Sequence, residues 1–81
     1  MIAVKTFAQV REIVGKSDWH VEVSSQLTVS ELTEKLIIQD ARWKQALAGQ
    51  VLVAVNQTMR DLSYRVQDND EVAFFPPVTG G

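Results

Sequence analysis

One strongly marked helix, set among segments that alternate like strands, most constrains how this 81-residue chain can fold. Thr28, followed three residues later by Glu31, has the spacing of a capping box, and Leu27 and Leu32 occupy the positions of a hydrophobic staple. The apolar stripe of this helix is predicted to consist of Val29, Leu32 and Leu36. Because such a stripe has to be buried, we expect the rest of the chain to supply a sheet that packs against it.

Short alternating or β-branched segments predict the strands of that sheet. We expect strands at residues 1–7, 19–23, 51–55, 58–60 and 71–75. In the first strand Ile2 and Val4 share one face. In the second strand the inward residues are predicted to be Trp19, Val21 and Val23.

The connections between these segments carry recognisable turn signals. A short helix at residues 8–14 is expected to end at Gly15, and a second short helix at 42–47 to follow a break near Asp40 and to stop at Gly49. The Asn56–Gln57 pair is a turn candidate. In the turn at residues 68–70, Asn69 is predicted to adopt the left-handed conformation that asparagine tolerates.

This order of elements predicts an α+β fold of the β-grasp, ubiquitin-like type. We expect a mixed sheet of about five strands, with the first and last strands central and parallel and the main helix packed across one face. Residues 1–75 form the predicted domain. Residues 76–81 form an extended functional C-terminal tail, which is expected to be flexible.

Composition and charge exclude several classes of function. The net charge of −2, without any Lys/Arg run, argues against nucleic acid and anionic membranes as partners. The chain has no cysteine and one histidine, so no metal site is expected. His20 is predicted to face solvent on a strand. No signal peptide or membrane span is visible, so we expect a cytoplasmic protein.

The period of two in the strands predicts an apolar patch on the face of the sheet away from the helix. If Val72 and Phe74 belong to the core, Phe75 points outward. Phe7 likewise lies opposite the inward residues of the first strand, and Met59 is placed on the same outer face. We therefore predict a partner-binding patch of Phe7, Met59 and Phe75 near the root of the tail. The alternative is a scatter of unrelated surface side chains.

The tail itself, PPVTGG, is the strongest candidate for chemistry. Glycine has no Cβ, so Gly80 and Gly81 can thread a channel too narrow for other residues. A terminal carboxylate is a poor electrophile and needs activation, most simply as an anhydride with AMP made by a separate ATP-using enzyme. An amine would then give protein conjugation, and a sulfide would give a thiocarboxylate. The alternative is an idle, frayed terminus.

Over essentially its full length the chain resembles the small, sulfur-carrier subunits of molybdopterin synthase. The matching segments are residues 7–12 (FAQVRE), 53–57 (VAVNQ) and 70–81 (DEVAFFPPVTGG). The family usually has Asp-Gly-Asp at the last turn, where this chain has Asn69 in place of the glycine.

The resemblance implies that Gly81 is adenylated by an ubiquitin-activating-like partner with ATP and is then sulfurated by a sulfurtransferase or desulfurase. The large synthase subunit would receive the tail, and sulfur would pass to cyclic pyranopterin monophosphate to build the molybdopterin dithiolene. The complex would be a heterotetramer whose catalytic side chains belong to the large subunit, and this chain would bind no cofactor itself. The residues assigned to partner binding are Phe7, Arg11, Met59, Phe75, Pro76, Pro77, Val78 and Thr79.

Three alternatives stay open at this point. A sulfur carrier of the thiazole pathway would share the fold, the tail and the activation chemistry, although such carriers are typically shorter. An ubiquitin-like protein modifier would use the same terminus to form an isopeptide bond. A pure interaction module would tolerate deletion of Gly81.

Overall fold

A computed structural model of the chain describes residues 1–77 and has the α+β architecture that the sequence predicts. One mixed sheet packs against helices on one side, and a two-stranded ladder lies beside the main helix. The elements are β1 (Ile2–Thr6), α1 (Ala8–Val14), β2 (Asp18–Val21), β3 (Leu27–Thr28), α2 (Val29–Gln39), α3 (Arg42–Ala46), β4 (Leu52–Val55), β5 (Thr58–Met59), β6 (Arg65–Val66) and β7 (Glu71–Phe75).

The main sheet has the strand order β2-β1-β7-β4-β5. Strands β1 and β7 pair in parallel, and every other pair in the sheet is antiparallel. The prediction of a mixed five-stranded sheet with the first and last strands central and parallel is therefore confirmed. The last strand lies in the middle of the sheet, with ladders on both sides.

The main helix α2 begins with the predicted capping box. Thr28 Oγ1 accepts a hydrogen bond from the Glu31 backbone N–H at 3.1 Å, and Glu31 Oε1 accepts one from the Thr28 backbone N–H at 2.8 Å. The hydrogen bond from the Thr28 backbone lowers the pKa of the Glu31 carboxyl. The predicted stripe of Val29, Leu32 and Leu36 is fully buried.

A second, two-stranded sheet connects the residues just before α2 to strand β6, and it was not predicted from the sequence. Leu27 pairs with Val66 and Thr28 pairs with Arg65. The backbone N–H of Val29 also donates to the Tyr64 carbonyl at 2.9 Å. Two-residue strands are too short to show a period, so only the folded chain reveals them.

Six predicted strand ends need correction. The first strand spans residues 2–6, β2 begins at residue 18, β4 begins at residue 52, and β5 ends at residue 59. Strand β2 ends at Val21, so Val23 lies beyond it and is only half-buried, although its side chain still packs against the core.

The predicted turns are confirmed by backbone dihedral angles. Gly15 ends α1 in the left-handed region with φ 86°, and a Cβ there would lie 2.8 Å from Nη1 of Arg42. Asn69 has φ 73°, as predicted. Asn56 and Gln57 both have positive φ, which is the requirement of a type I′ hairpin turn between β4 and β5.

Three aromatic side chains form the centre of the core. Trp43 of α3 contacts Trp19 of β2 and Phe74 of β7 edge-to-face, with ring centroids 5.4 and 5.6 Å apart. Trp43 is fully buried. The sequence predicted its helix but did not identify this residue as the point where helix layer and sheet meet.

We expect Trp43→Ala to lower the free energy of unfolding by about 3–5 kcal/mol, because it opens a cavity between Trp19 and Phe74. Urea denaturation followed by circular dichroism measures the loss. Ile38→Ala on the solvent side of α2, where the side chain is 85% exposed, is the control and should change the value by less than about 0.5 kcal/mol. A loss below about 1 kcal/mol for Trp43→Ala would contradict this role.

Candidate functional site

The face of the sheet that points away from the helices is defined by the register of β7. Val72 and Phe74 point inward and are fully buried. Glu71, Ala73 and Phe75 alternate with them and therefore point outward, where each is half-buried. The two consecutive phenylalanines thus lie on opposite faces, as the sequence predicted.

The β4 residues that pair with the outward side of β7 are also apolar. Phe75 lies opposite Leu52 of β4, and Ala73 lies opposite Ala54, which in turn lies opposite Met59 of β5. Met59 is 53% exposed. Ala54 is only 9% exposed to solvent, yet it is not part of the hydrophobic core cluster. It is shielded instead by its neighbours on the outer face of the sheet.

Phe7 completes this surface at the end of β1. Thr6 pairs with Phe74, and the extended backbone of Phe7 (φ −136°, ψ 154°) continues the alternation, so Phe7 points outward at the level of Phe75. Its side chain is 51% exposed. We define the outer patch as Phe7, Leu52, Ala54, Met59, Ala73 and Phe75.

Ala8 has a left-handed backbone that lets α1 follow Phe7 without a loop. Its φ is 51°, which is uncommon for a residue with a Cβ. Directly after it, α1 sends Val10 and Val14 into the core. The sharp change of direction at Ala8 therefore allows Phe7 to keep its outward orientation while the next helix packs on the other side of the sheet.

The other half of the outer face is polar. Lys5 Nζ of β1 donates to Asp18 Oδ1 of β2, and the two groups form an ion pair. The hydrogen bond with Asp18 raises the pKa of Lys5, and the hydrogen bond with Lys5, reinforced by one from Ser17 Oγ, lowers the pKa of Asp18. His20 lies on this half, opposite Ala3, and is exposed as predicted. The charges thus border the outer patch without interrupting it.

The remaining predicted site residues lie on α1 and on the tail. Arg11 is exposed one turn after Phe7, and its backbone N–H donates to the Phe7 carbonyl at 3.4 Å. Pro76 and Pro77 follow β7 and are half-buried. The predicted residues Val78, Thr79, Gly80 and Gly81 lie outside the described residues, so their assignment stays a prediction.

This arrangement supports binding rather than chemistry on the described residues. The outer patch carries no acid, base or nucleophile. Within residues 1–77, no group of three or more His, Cys, Asp or Glu side chains could hold a metal ion. The helices in this part of the chain are also too short and too polar to cross a membrane.

Three members of the outer patch were predicted from the sequence, and the other three were not. Phe7, Met59 and Phe75 were predicted, whereas Leu52, Ala54 and Ala73 were not. For Ala73 the position could have been predicted, because it lies two residues before Phe75 and therefore on the same face of the strand. The pairing of β4 with β7 was not known from the sequence, however, and this pairing places Leu52 and Ala54 beside them.

Similar proteins are found for the whole chain, including the tail. The ThiS family model matches residues 4–81. The molybdopterin synthase sulfur carrier subunit of Escherichia coli (strain K12) is 49% identical over 82 residues, covering 100% of both chains.

Among solved structures, SAMP1 from Haloferax volcanii matches with a TM-score of 0.84 and 26% identity, covering 99% of this chain and 98% of that one. A chain from the complex of subunits 1 and 2 of molybdopterin-converting factor from Helicobacter pylori matches with a TM-score of 0.69. At 21% identity, covering 99% of this chain and 97% of that one, this second match shows the fold alone.

We expect Ala8→Gly to raise the free energy of unfolding by about 0.5–1 kcal/mol, because relief of the left-handed strain exceeds the greater entropy of glycine in the unfolded chain. Ala41→Gly is the matched control, since Ala41 is also an exposed alanine at the start of a helix but has φ −62°. It should lower the same free energy by about 0.5–1 kcal/mol. Equal losses for both variants in urea denaturation would show that Ala8 is not strained.

Proposed function

The chain belongs to the ThiS family, and we propose that it is the sulfur carrier subunit of a molybdopterin synthase. The observation that carries this proposal is the 49% identity to the Escherichia coli carrier, which extends over the full length of both chains and so includes residues 76–81. The outer patch lies at the root of this tail and offers a surface by which a partner could hold the domain.

The proposed chemistry takes place at the carboxylate of Gly81. This group is ionised at neutral pH and does not react with nucleophiles, so it has to be activated. Attack of its oxygen on the α-phosphate of ATP releases pyrophosphate and gives an acyl adenylate, in the active site of a separate adenylating enzyme. A sulfide supplied by a sulfurtransferase or desulfurase then displaces AMP and leaves a thiocarboxylate.

The thiocarboxylate would deliver its sulfur inside the large subunit of the synthase. There the sulfur would displace an oxygen substituent from a carbon of cyclic pyranopterin monophosphate, and water would then cleave the bond between the sulfur and the Gly81 carbonyl carbon, which regenerates the carboxylate. Two such transfers build the dithiolene of molybdopterin. The complete complex would therefore act as a sulfurtransferase, with this chain as the donor and the catalytic side chains on the large subunit. We assign Gly80 the role of a residue narrow enough to thread the channel to that site.

The free energy gained by burying the outer patch could offset the entropy lost when a partner orders the tail. Ordering the tail costs on the order of 1–2 kcal/mol per residue, and the preset φ of Pro76 and Pro77 reduces this cost. Burial of a phenylalanine such as Phe7 or Phe75 returns about 1.5–3 kcal/mol. An outer patch that is apolar over several strands could thus offset the entropy lost when the tail enters another protein.

A second candidate is supported by the similarity to SAMP1, which is a small archaeal modifier protein. A modifier would pass the activated carboxyl of Gly81 to a lysine amine of another protein. Immunoblots of cell extracts would then show the chain in covalent conjugates of higher mass. A carrier would be found free, with sulfur at its terminus.

We expect deletion of Gly81 to abolish sulfur transfer, because the shortened tail no longer brings an activated carboxyl to either active site. Accurate mass of the tryptic peptide 66–81 detects replacement of one oxygen by sulfur, after incubation of the wild type with the adenylating enzyme, ATP and a sulfur source. The peptide contains neither Met nor Cys, so oxidation cannot mimic the change. The variant should keep the melting temperature of the wild type, and full turnover of the pyranopterin by the variant would contradict the proposal.

We expect Met59→Glu to weaken binding to the large subunit at least 30-fold, because it places a charge within the outer patch, on its edge strand β5. That factor corresponds to about 2 kcal/mol. Leu62→Glu is the matched control, since Leu62 is 58% exposed but lies outside the patch. Isothermal titration calorimetry should find less than a threefold change for this control, and equal affinities for the two variants would remove the patch from the interface.

A further inference from the structure

A groove separate from the outer patch opens at the root of the tail, on the helix side of the sheet. It has a volume of about 480 Å³ and runs between α1 and α3. Pro76 and Pro77 form one of its walls, so the described part of the tail borders the groove. The described tail residues thus separate two surfaces, with the outer patch on one side and this groove on the other.

The lining of the groove is uncharged and mostly apolar, with three polar side chains. None of its ten lining residues carries a charge, although 22% of the residues of the chain are charged. Three glutamines, Gln9, Gln45 and Gln50, surround an apolar floor that includes Ile13. All three glutamines are exposed, so their side-chain amides are accessible to a partner.

We propose that this groove binds an extended main-chain segment of the protein that receives the tail. The inference rests on the proposed function, because it requires that the tail enters a partner protein. A glutamine amide offers both a donor and an acceptor, which is what the N–H and C=O groups of an extended peptide need. An uncharged, partly apolar groove would penalise an ionised side chain, since such a group would lose water without gaining a counter-charge.

The reach of the tail places the partner close to the groove. Four residues follow Pro77, and a fully extended stretch of four residues spans at most about 14 Å. A protein that holds the terminal carboxylate must therefore come within about 14 Å of Pro77. Its surface then abuts the groove on one side and the outer patch on the other. Binding to both would hold the root of the tail from two sides and fix the direction in which the tail leaves the domain.

The double variant Gln45→Ala/Gln50→Ala tests this proposal. Isothermal titration calorimetry with the purified large subunit should show a Kd at least tenfold higher than that of the full-length wild type. The matched control is Gln26→Ala/Gln67→Ala, two exposed glutamines that line a different depression, and its Kd should stay within twofold. Both double variants should melt within about 2 °C of the wild type, because exposed side chains contribute little to stability.

A second substitution separates hydrogen bonding from simple packing. Gln45→Met/Gln50→Met keeps the length of both side chains but removes their amides, so it should bind as weakly as the alanine pair. Wild-type affinity for the methionine pair would overturn the proposal of main-chain recognition. Hydrogen exchange of the large subunit should, in addition, show a stretch of backbone amides that is protected by the wild type and less protected by the alanine pair.

The remaining outcomes distinguish the two proposals. If the wild type binds the large subunit and the alanine pair binds equally well, the groove proposal is wrong and the proposed function stands. If the wild type does not bind it at all, both fail together. If the wild type alone forms a dimer in sedimentation that the alanine pair does not form, the groove is a contact between two copies of the chain, which also overturns the proposal.

Discussion

The parallel pairing of β1 with β7 is the constraint on which the rest of this structure depends. It brings the first and last strands side by side, with Val4 opposite Val72 and Thr6 opposite Phe74. A shift of one residue in this register would turn every side chain of β7 to the opposite face. Phe74 would then lose its contact with Trp43, so the aromatic core determines which side of the last strand faces solvent.

This constraint gives two adjacent phenylalanines different roles. Phe74 is fully buried beneath Trp43 and contributes to stability. Phe75 points outward beside Leu52, at the place where the chain leaves the sheet. A residue of the core and a residue of the proposed interface are therefore consecutive in the chain. The tail begins at a point that the hydrophobic core holds in place.

Much of this arrangement was predictable because it depends on local signals or on strand parity. The capping box of Thr28 and the left-handed Asn69 are local, and the outward position of Phe75 follows from the buried position of Phe74. The ladder of β3 and β6 could not be predicted, because two-residue strands carry no period. Leu52 was missed since its place beside Phe75 depends on a pairing between strands that are distant in sequence.

The groove between α1 and α3 could not be predicted from the sequence for a similar reason. Its glutamines come from a helix near the start of the chain and from a segment in the middle, and they meet only because both helices pack on the same side of the sheet. An exposed glutamine has no recognisable period or motif of its own. Only the fold shows that Gln9, Gln45 and Gln50 share one surface beside the tail.

The central position of β7 also has a mechanical consequence. A force that withdraws the tail from a partner acts along β7, and β7 is hydrogen-bonded to β1 on one side and to β4 on the other. Because β1 runs parallel to β7 and lies near the other end of the chain, such a force loads the bonds between them in shear, all at once, rather than one after another from an edge. The domain is therefore suited to resist unfolding when its last strand is pulled.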